Sequence, residues 1–263
     1  MDAIPGRIEL DIDLLLIPGN ADGVWDQFVT IMGRLGYPHL CYRPRAIAAS
    51  PQEAPTADAE CRSNFPAVVL DRLRGRPALL DASPWGNWAR GQRGALPFSW
   101  IQTAEAAPYL TPDGMGFGQL LAQHGLLAGH VVSLLGVSSR MTGTVALSTG
   151  PGTDQRHADA LWRQMGTDIT RLCDIMHLRI GALPQMTGRS VLTPRQREVV
   201  EWAACGKTVA EIAAILGVES TTVEKHLRLA REALGARTTA QAILHAHQRN
   251  QIFVTPMGKS ATG

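Results

Sequence analysis

Apolar positions change their period several times along the chain. Ile8, Leu10, Ile12 and Leu14 alternate with Glu9, Asp11 and Asp13, which predicts a strand with one buried face. Over 22–35 the period lengthens: Trp25, Phe28, Ile31 or Met32, and Leu35 recur at helical spacing. Residues 37–43 read as a strand, and the Ala- and Pro-rich stretch 44–64 as a loop. A short helix is predicted over 66–74, and Leu96-Pro97-Phe98-Ser99-Trp100 passes from loop into strand. Residues 112–124 are helical, and 129–135 and 141–148 form a hairpin joined by a Gly/Ser turn. A long helix over 153–182 carries Leu161, Met165, Ile169, Leu172 and Met176. Strands mixed with flanking helices predict an α+β or α-β-α sandwich.

From residue 192 onward the pattern is helical throughout. Thr193-Pro194-Arg195-Gln196 offers an N-cap threonine, a proline at the first helical position and glutamine at the third. Thr208-Val209-Ala210-Glu211 is a capping box, either Ser220 or Thr221 can cap a third helix, and Thr238-Thr239-Ala240-Gln241 repeats the signal. Gly206, Gly217 and Gly235 mark helix ends. Four helices follow, over about 194–205, 209–216, 221–234 and 239–250. Their apolar sets are Val199, Val200 and Ala203; Ile212, Ala213 and Leu216; Val223, Leu227, Ala230 and Leu234; Ala240, Ile243 and Leu244. The second and third helices are joined by Gly217-Val218-Glu219, the pattern of a helix-turn-helix. With Val223 and Leu227 turned inward, the opposite face of the third helix carries Thr222, Lys225, His226, Leu229 and Glu232, flanked by Glu224 and Arg228. Such a face can enter a DNA major groove or remain a solvated helix surface.

Charge sharpens the division. The chain of 263 residues has a net charge of +2, too small for a global field. Residues 1–188 hold 15 Lys+Arg against 17 Asp+Glu, whereas 189–263 hold 10 against 6. An acidic body with a basic tail points to a polyanion at the tail, although an excess of this size is also ordinary for a protein surface. The division predicts domains at 1–182 and 192–252, a linker at 183–191 and a flexible end at 253–263. Cys41, Cys61, Cys173 and Cys205 lie far apart with no C-x-x-C pair, so reduced thiols in a cytoplasm are expected. The first 13 residues carry acids and lack the apolar run of a secretory leader. The apolar stretch 125–137 is shorter than a bilayer span.

Enzyme motifs are missing. Gly206-Lys207-Thr208 and Gly258-Lys259-Ser260 fail as phosphate loops, because Glu201 and Phe253 stand where the first glycine is needed. No G-x-S-x-G occurs, and Ser138-Ser139 has no recognisable base. His124 and His130 have no second ligand at metal spacing. Neither a cofactor nor a metal is expected, and the chain does not read as an enzyme.

The tail resembles the LuxR-type helix-turn-helix. The residues that carry the likeness are Leu192 through Val200, Gly206-Lys207-Thr208, Glu211-Ile212-Ala213, Leu216-Gly217-Val218, Thr222 through Leu227 and Leu234-Gly235. The resemblance covers most of 192–252 and implies a dimer on a promoter-proximal inverted repeat of double-stranded DNA. It places Glu224, Lys225 and Arg228 at base-reading positions and Lys207, Thr208, Thr222 and His226 near the DNA backbone. Ser220 and Thr221, at the start of the same helix, complete the expected contact set. Gln196 stands where the family usually has Glu.

The body, over roughly 20–180, resembles the autoinducer-binding domain of quorum-sensing LuxR regulators. Leu96 through Trp100, Gly125-Leu126 with Gly129, and Gly143 through Ser148 carry this likeness. It implies a five-stranded antiparallel sheet between helix layers, with a ligand between sheet and helices. The departures from receptors of acyl-homoserine lactones are specific. Val69 and Leu73 stand at the family's Trp and Tyr places, and Ser83-Pro84 best fills its Asp-Pro, with Asp81 the alternative acceptor. Trp100 is kept. A buried ligand amide without an acceptor would cost roughly 1–3 kcal/mol. By resemblance the ligand set is Val69, Leu73, Ser83, Trp85, Trp100 and Ser148. Trp85 reads equally as pocket wall or core, and Trp88 as core.

The expected function is that of a solo-type regulator of transcription. Its body binds a small apolar, non-lactone ligand, or has its pocket filled by its own side chains and dimerises without one. The expected partners are DNA, a second copy of the chain and RNA polymerase, with no membrane. The rival is an interaction protein that pairs with another regulator and antagonises it, for which Lys225 and Arg228 would have no use.

Overall fold

The structure is a computed structural model and describes residues 7–47, 61–75, 79, 82–112, 114–139, 141–183, 192–248 and 251–253. The chain divides into two compact units, 1–18 with 22–180, and 19–21 with 181–263.

The first unit is built on a five-stranded sheet in the order β2-β1-β5-β4-β3, with every pairing antiparallel. Its strands are β1 (His39–Ala46), β2 (Arg62–Ser63), β3 (Gly94–Pro97), β4 (Gly129–Ser133) and β5 (Met141–Ser148). The expected hairpin is β4–β5, and β1 pairs with β5 along its whole length, from His39 opposite Ser148 to Ala46 opposite Met141. Successive side chains on a strand point to opposite faces. One face presents the row Cys41, Ala146, Val131 and Leu96, aligned by register. Against it lie α3 (Ala67–Gly75), α4 (Pro84–Trp88), two 3₁₀ turns (Phe98–Gln102 and Ala104–Tyr109) and α5 (Met115–Gln123). The other face presents Leu40, Tyr42, Val132, Val145 and Leu147, all buried. It is covered by α2 (Ala21–Arg34), whose Trp25 ring stacks on Tyr42, and by α6 (Gln155–Ala182), whose His177 meets Tyr42 edge-on. The body is thus α+β, with helices on both sides of an antiparallel sheet, as expected.

Three local expectations fail. Residues 8–14 are not a strand but part of α1 (Arg7–Leu16). The alternation is incidental, because Leu10 and Leu16 are exposed while Asp11 and Leu15 are buried. With Ile8, Ile12 and Leu14 half-buried, the covered set is 8, 11, 12, 14 and 15, which share one side of a helix. Asp11 forms an ion pair with Arg34 of α2, which lets a carboxylate occupy an inward position. The second failure is 96–100, where strand precedes turn: Pro97 ends the β3–β4 ladder opposite His130, and the 3₁₀ turn begins after it. Proline has no N–H to continue pairing. The third is β2, inside the stretch read as loop. It exists because side chains extend the ladder: the Ser63 hydroxyl donates to Leu40 O at 2.7 Å, and Leu40 N donates to Asn64 Oδ1 at 2.6 Å.

The second unit holds α7 (Pro194–Ala204), α8 (Val209–Leu216), α9 (Ser220–Leu234) and α10 (Thr239–Gln248). Thr193 with Gln196 and Thr208 with Glu211 both form complete capping boxes. Gly217 and Gly235 stop α8 and α9 in the left-handed conformation, at φ 63° and 66°. That conformation costs any other residue a Cβ clash, which is why both helices end on glycine. The core joins Val199, Val200, Ile212, Ala213, Val223, Leu227, Ala230 and Leu234, as the spacing predicts. Two details differ. Neither Ser220 nor Thr221 caps α9; its N-cap is Glu219, whose side chain makes no capping bond. In α10 the buried residues are Ala242 and Ala246, whereas Ala240 and Leu244 are exposed. Gln251 N bonds to Ala246 O, and Ile252 joins Ala242 and Ala246 in the core. The expected linker and end lie largely outside the described residues, at 184–191 and 254–263.

Candidate nucleic-acid interface and sensor cluster

In the tail, α8 and α9 are held rigidly by the shared core and by a turn in which Val218 N bonds to Ala213 O. Burying Val223, Leu227, Ala230 and Leu234 of α9 fixes which residues point away. Glu224, Lys225, Arg228 and Glu232 are exposed, and Thr222, His226 and Leu229 are half-buried at the margins. The helix therefore presents the predicted base-reading residues together on one outer surface. Arg228 Nη1 lies 2.6 Å from Glu232 Oε1, one turn on, so its guanidinium is held along the helix face. Ser220 and Thr221 are exposed at the helix start.

Thr208 occupies the start of α8 and is already engaged. Its hydroxyl donates to Glu211 Oε2 at 2.9 Å and accepts from Glu211 N at 3.3 Å. Its own N–H donates to the same carboxylate at 2.8 Å. These bonds, with Lys207 Nζ at 3.3 Å from Glu211 Oε1, hold the Glu211 carboxyl below the usual carboxylate range. Lys207 thus stands exposed at the helix N-terminus, beside the positive end of its dipole.

In the body, four of the six predicted ligand residues come together. Val69 and Leu73 of α3, Trp85 of α4 and Trp100 of the first 3₁₀ turn are buried in one apolar cluster on the sheet. Trp85 sits against Phe98 and Phe117 with ring centroids 5.7 and 6.4 Å away, and its Nε1 donates to Pro97 O at 3.3 Å. Trp100 lies 5.5 Å from Tyr109 and 6.3 Å from the half-buried Trp88, centroid to centroid. The two predicted serines are engaged in hydrogen bonds to nearby backbone. Ser83 caps α4, accepting from Gly86 N at 3.1 Å. Ser148 donates to Ala128 O at 3.1 Å and accepts from Gly150 N at 3.2 Å, closing the loops at the end of the sheet. Ser148 lies two residues beyond Ala146 and so on the same sheet face as the cluster, and short side chains at element ends are readily taken up by nearby backbone. Asp81, the alternative acceptor, lies outside the described residues. Phe117 joins the cluster in addition to the predicted set; its signal is the grouping of Phe117, Leu120 and Leu121 at helical spacing within the predicted helix 112–124.

His130 is a satisfied core histidine. Its ring stacks on Trp162 at 4.4 Å, its Nδ1 is 3.3 Å from the Tyr37 hydroxyl, and its Nε2 is 3.5 Å from Asp159 Oδ1. Burial pushes its pKa down to about 4 against the opposing pull of Asp159. Among the described residues no group of three or more His, Cys, Asp or Glu could hold a metal ion, and no helix is long and apolar enough to cross a membrane.

The body and the tail match two families. Residues 20–180 match the autoinducer binding domain, and residues 190–246 match the bacterial regulatory proteins of the luxR family. The chain is 32% identical over 112 residues to the transcriptional activator protein EsaR of Pantoea stewartii subsp. stewartii, covering 43% of this chain and 45% of that one. It is 28% identical over 171 residues to the transcriptional activator protein AhyR of Aeromonas hydrophila, covering 63% of each. The match therefore spans less than two thirds of either relative. In fold it is similar to a crystal structure of CepR2 from Burkholderia cenocepacia, an N-acylhomoserine lactone dependent LuxR family transcription factor, with a TM-score of 0.50 at 18% identity over 69% of this chain and 96% of that one.

Proposed function

Because the chain belongs to the luxR family of bacterial regulatory proteins and carries its autoinducer-binding domain, we propose that it is a dimeric, cytoplasmic regulator of transcription whose α9 reads DNA. The observation that carries this reading is the outer face of α9, where Glu224, Lys225 and Arg228 stand exposed opposite a fully buried apolar stripe. Lys and Arg on a rigid helix can reach base edges in a major groove, and Lys207 at the start of α8 is placed for phosphate. Thr222 and His226 flank that face, and Ser220, Thr221 and Thr208 lie at helix starts. The same proposal divides the chain into a sensor and dimerisation domain over 1–182, a linker over 183–191, a DNA-binding domain over 192–252 and a flexible tail over 253–263.

The ligand reading is narrower than the family's. Val69 and Leu73 supply no hydrogen bond where lactone receptors carry Trp and Tyr, and the Ser83 hydroxyl is engaged in capping α4. What remains around Trp85 and Trp100 is an apolar, aromatic lining. It suits a small apolar ligand, or dimerisation with no ligand, better than a lactone amide. A contact with RNA polymerase belongs to the same proposal.

The test is selection of DNA from a random pool by the full-length protein, followed by gel shift on the recovered sequence and on a scrambled control. Recovery of an inverted repeat bound by two copies is the expected result. Absence of sequence-specific binding, together with capture of a second regulator, would favour the antagonist instead.

A further inference from the structure

Sequence spacing separates Cys41 from Cys61, but the sheet brings them together. We propose that this pair is a peroxide-oxidisable dithiol, a modification site that closes as a disulfide on the wall of the apolar cluster. The two Sγ atoms lie 3.6 Å apart, and neither cysteine is bridged. Cys41 faces Ser63 across the β1–β2 ladder, and Tyr42 faces Arg62. Cys61 immediately precedes β2, so its thiol meets Cys41 on a diagonal of the same sheet face. A disulfide needs sulfurs about 2.0 Å apart, which leaves an approach of roughly 1.6 Å for side-chain rotation and a small shift of the strand end. Cys61 is placed to make that shift, because it lies just outside a ladder of only two residues on the sheet edge.

Exposure assigns the roles. Cys41 is 1% exposed, whereas Cys61 is half-buried and is the more accessible residue of the two. The bond between the thiols and the burial of Cys41 hold the Cys41 thiol well above its usual range, with Ser63 and Arg43 pulling the other way. Cys41 therefore keeps its proton while Cys61 reacts. The Cys61 thiolate attacks one oxygen of a hydroperoxide; the O–O bond breaks and the other oxygen leaves as an alcohol, or as water from hydrogen peroxide. The resulting sulfenic acid at Cys61 is then attacked by the Cys41 sulfur. The S–O bond breaks, and the departing hydroxide takes the Cys41 proton as water. Two thiols and one peroxide give one disulfide, one alcohol or water, and one further water, with two electrons passing from sulfur to oxygen.

Both thiols pack into the cluster that holds Val69, Leu73, Trp85 and Trp100. The bridge would tie β1 to the sheet edge and alter the wall that a ligand meets; this consequence rests on the sensor reading above, whereas bridge formation does not.

The experiment treats full-length protein with hydrogen peroxide, blocks remaining thiols with iodoacetamide and digests with trypsin. Because the Arg43–Pro44 bond resists cleavage, Cys41 falls in peptide 35–45 and Cys61 in peptide 46–62. The expected product is these two peptides joined, two hydrogens lighter than their sum, released by dithiothreitol and absent from Cys61→Ser. The oxidised protein should also melt several degrees higher, since a cross-link restricts the unfolded chain. Cys61 recovered as sulfinic acid with Cys41 still alkylatable would overturn the proposal, as would oxidation confined to the exposed Cys205. The mapping needs no DNA, so its failure is distinct from failure of the regulator reading. Cys41→Ala should likewise lose the joined peptides, and Cys61→Ser, at a half-buried position, keeps the test open if that variant does not fold.

Discussion

The tail builds its interface on one helix, whereas the body assembles its site from widely separated segments. In α9 the buried stripe and the charged face are two sides of the same fifteen residues. In the body, Cys41, Val69, Trp85, Trp100, Phe117, Val131 and Ala146 meet because β1 and β4 both pair with β5 and the short helices and turns pack on that face. A site carried by one helix keeps its geometry as long as that helix is held from behind. A site spread over strands, turns and short helices depends on the whole sheet. The tail can therefore change its contacts one side chain at a time, while most substitutions in the body cluster act through stability.

The largest expected effect tests that last claim. Trp85→Ala should cost about 3–5 kcal/mol of body stability, as large aromatic truncations in cores do. Urea unfolding of the body followed by near-ultraviolet circular dichroism gives the reading. A loss below 1 kcal/mol would mean that Trp85 lines open space and not packed core.

Acid should separate the two units next. The fully buried histidines, His130 and His177, both lie in the body, and burial lowers the pKa of each, His130 from 6.5 to about 4. A group depressed in the folded state contributes its full stability above the unfolded value, here about 6.5, and loses it as pH falls toward 4. The body should therefore weaken steadily over that window, and His130→Gln should flatten the slope. A slope unchanged in that variant would rule out His130 as its source.

Within the tail, Arg228→Ala should weaken binding to the selected operator by roughly 1–3 kcal/mol and relax discrimination at one base pair. Lys207→Ala should instead weaken binding to all sequences and flatten the salt dependence. Equal losses of Arg228→Ala on operator and random DNA would remove Arg228 from the base-reading set. Smaller still, Thr208→Ala should cost about 1 kcal/mol of tail stability by opening the capping box, with Thr208→Ser restoring most of it.

The smallest expected effect is none at all. A panel of acyl-homoserine lactones should leave the melting temperature of the full chain unchanged. A ligand at 100 times its dissociation constant would add about 2.7 kcal/mol and several degrees. A clear rise with any lactone would show that Val69, Leu73 and Ser83 do not mark the loss of its polar contacts.

The same contrast governs what could be read in advance. Thr193, Thr208, Gly217 and Gly235 each act on backbone within a few residues, so helix limits in the tail follow from sequence nearly to the residue. The register of α10 did not, because a helix with apolar residues on two sides takes the face its neighbours cover, and Ala242 and Ala246 allow the closer approach. Helix α1 hides behind an alternating pattern for a related reason: its inward face includes Asp11, whose partner Arg34 is 23 residues away.

Local sequence is enough for the four-helix tail, the outward residues of its third helix, the β4–β5 hairpin and the apolar character of Val69 and Leu73. Those follow from capping, helical periodicity and short-range turns, which act between residues close along the chain. The tertiary structure decided the strand order, the roles of Ser83 and Ser148, the joining of Trp85 with Phe98 and Phe117, and the meeting of Cys41 with Cys61. Each of these depends on pairings whose partners lie tens of residues apart, where loop closure must be offset by the packing of the whole sheet before any one contact is favourable.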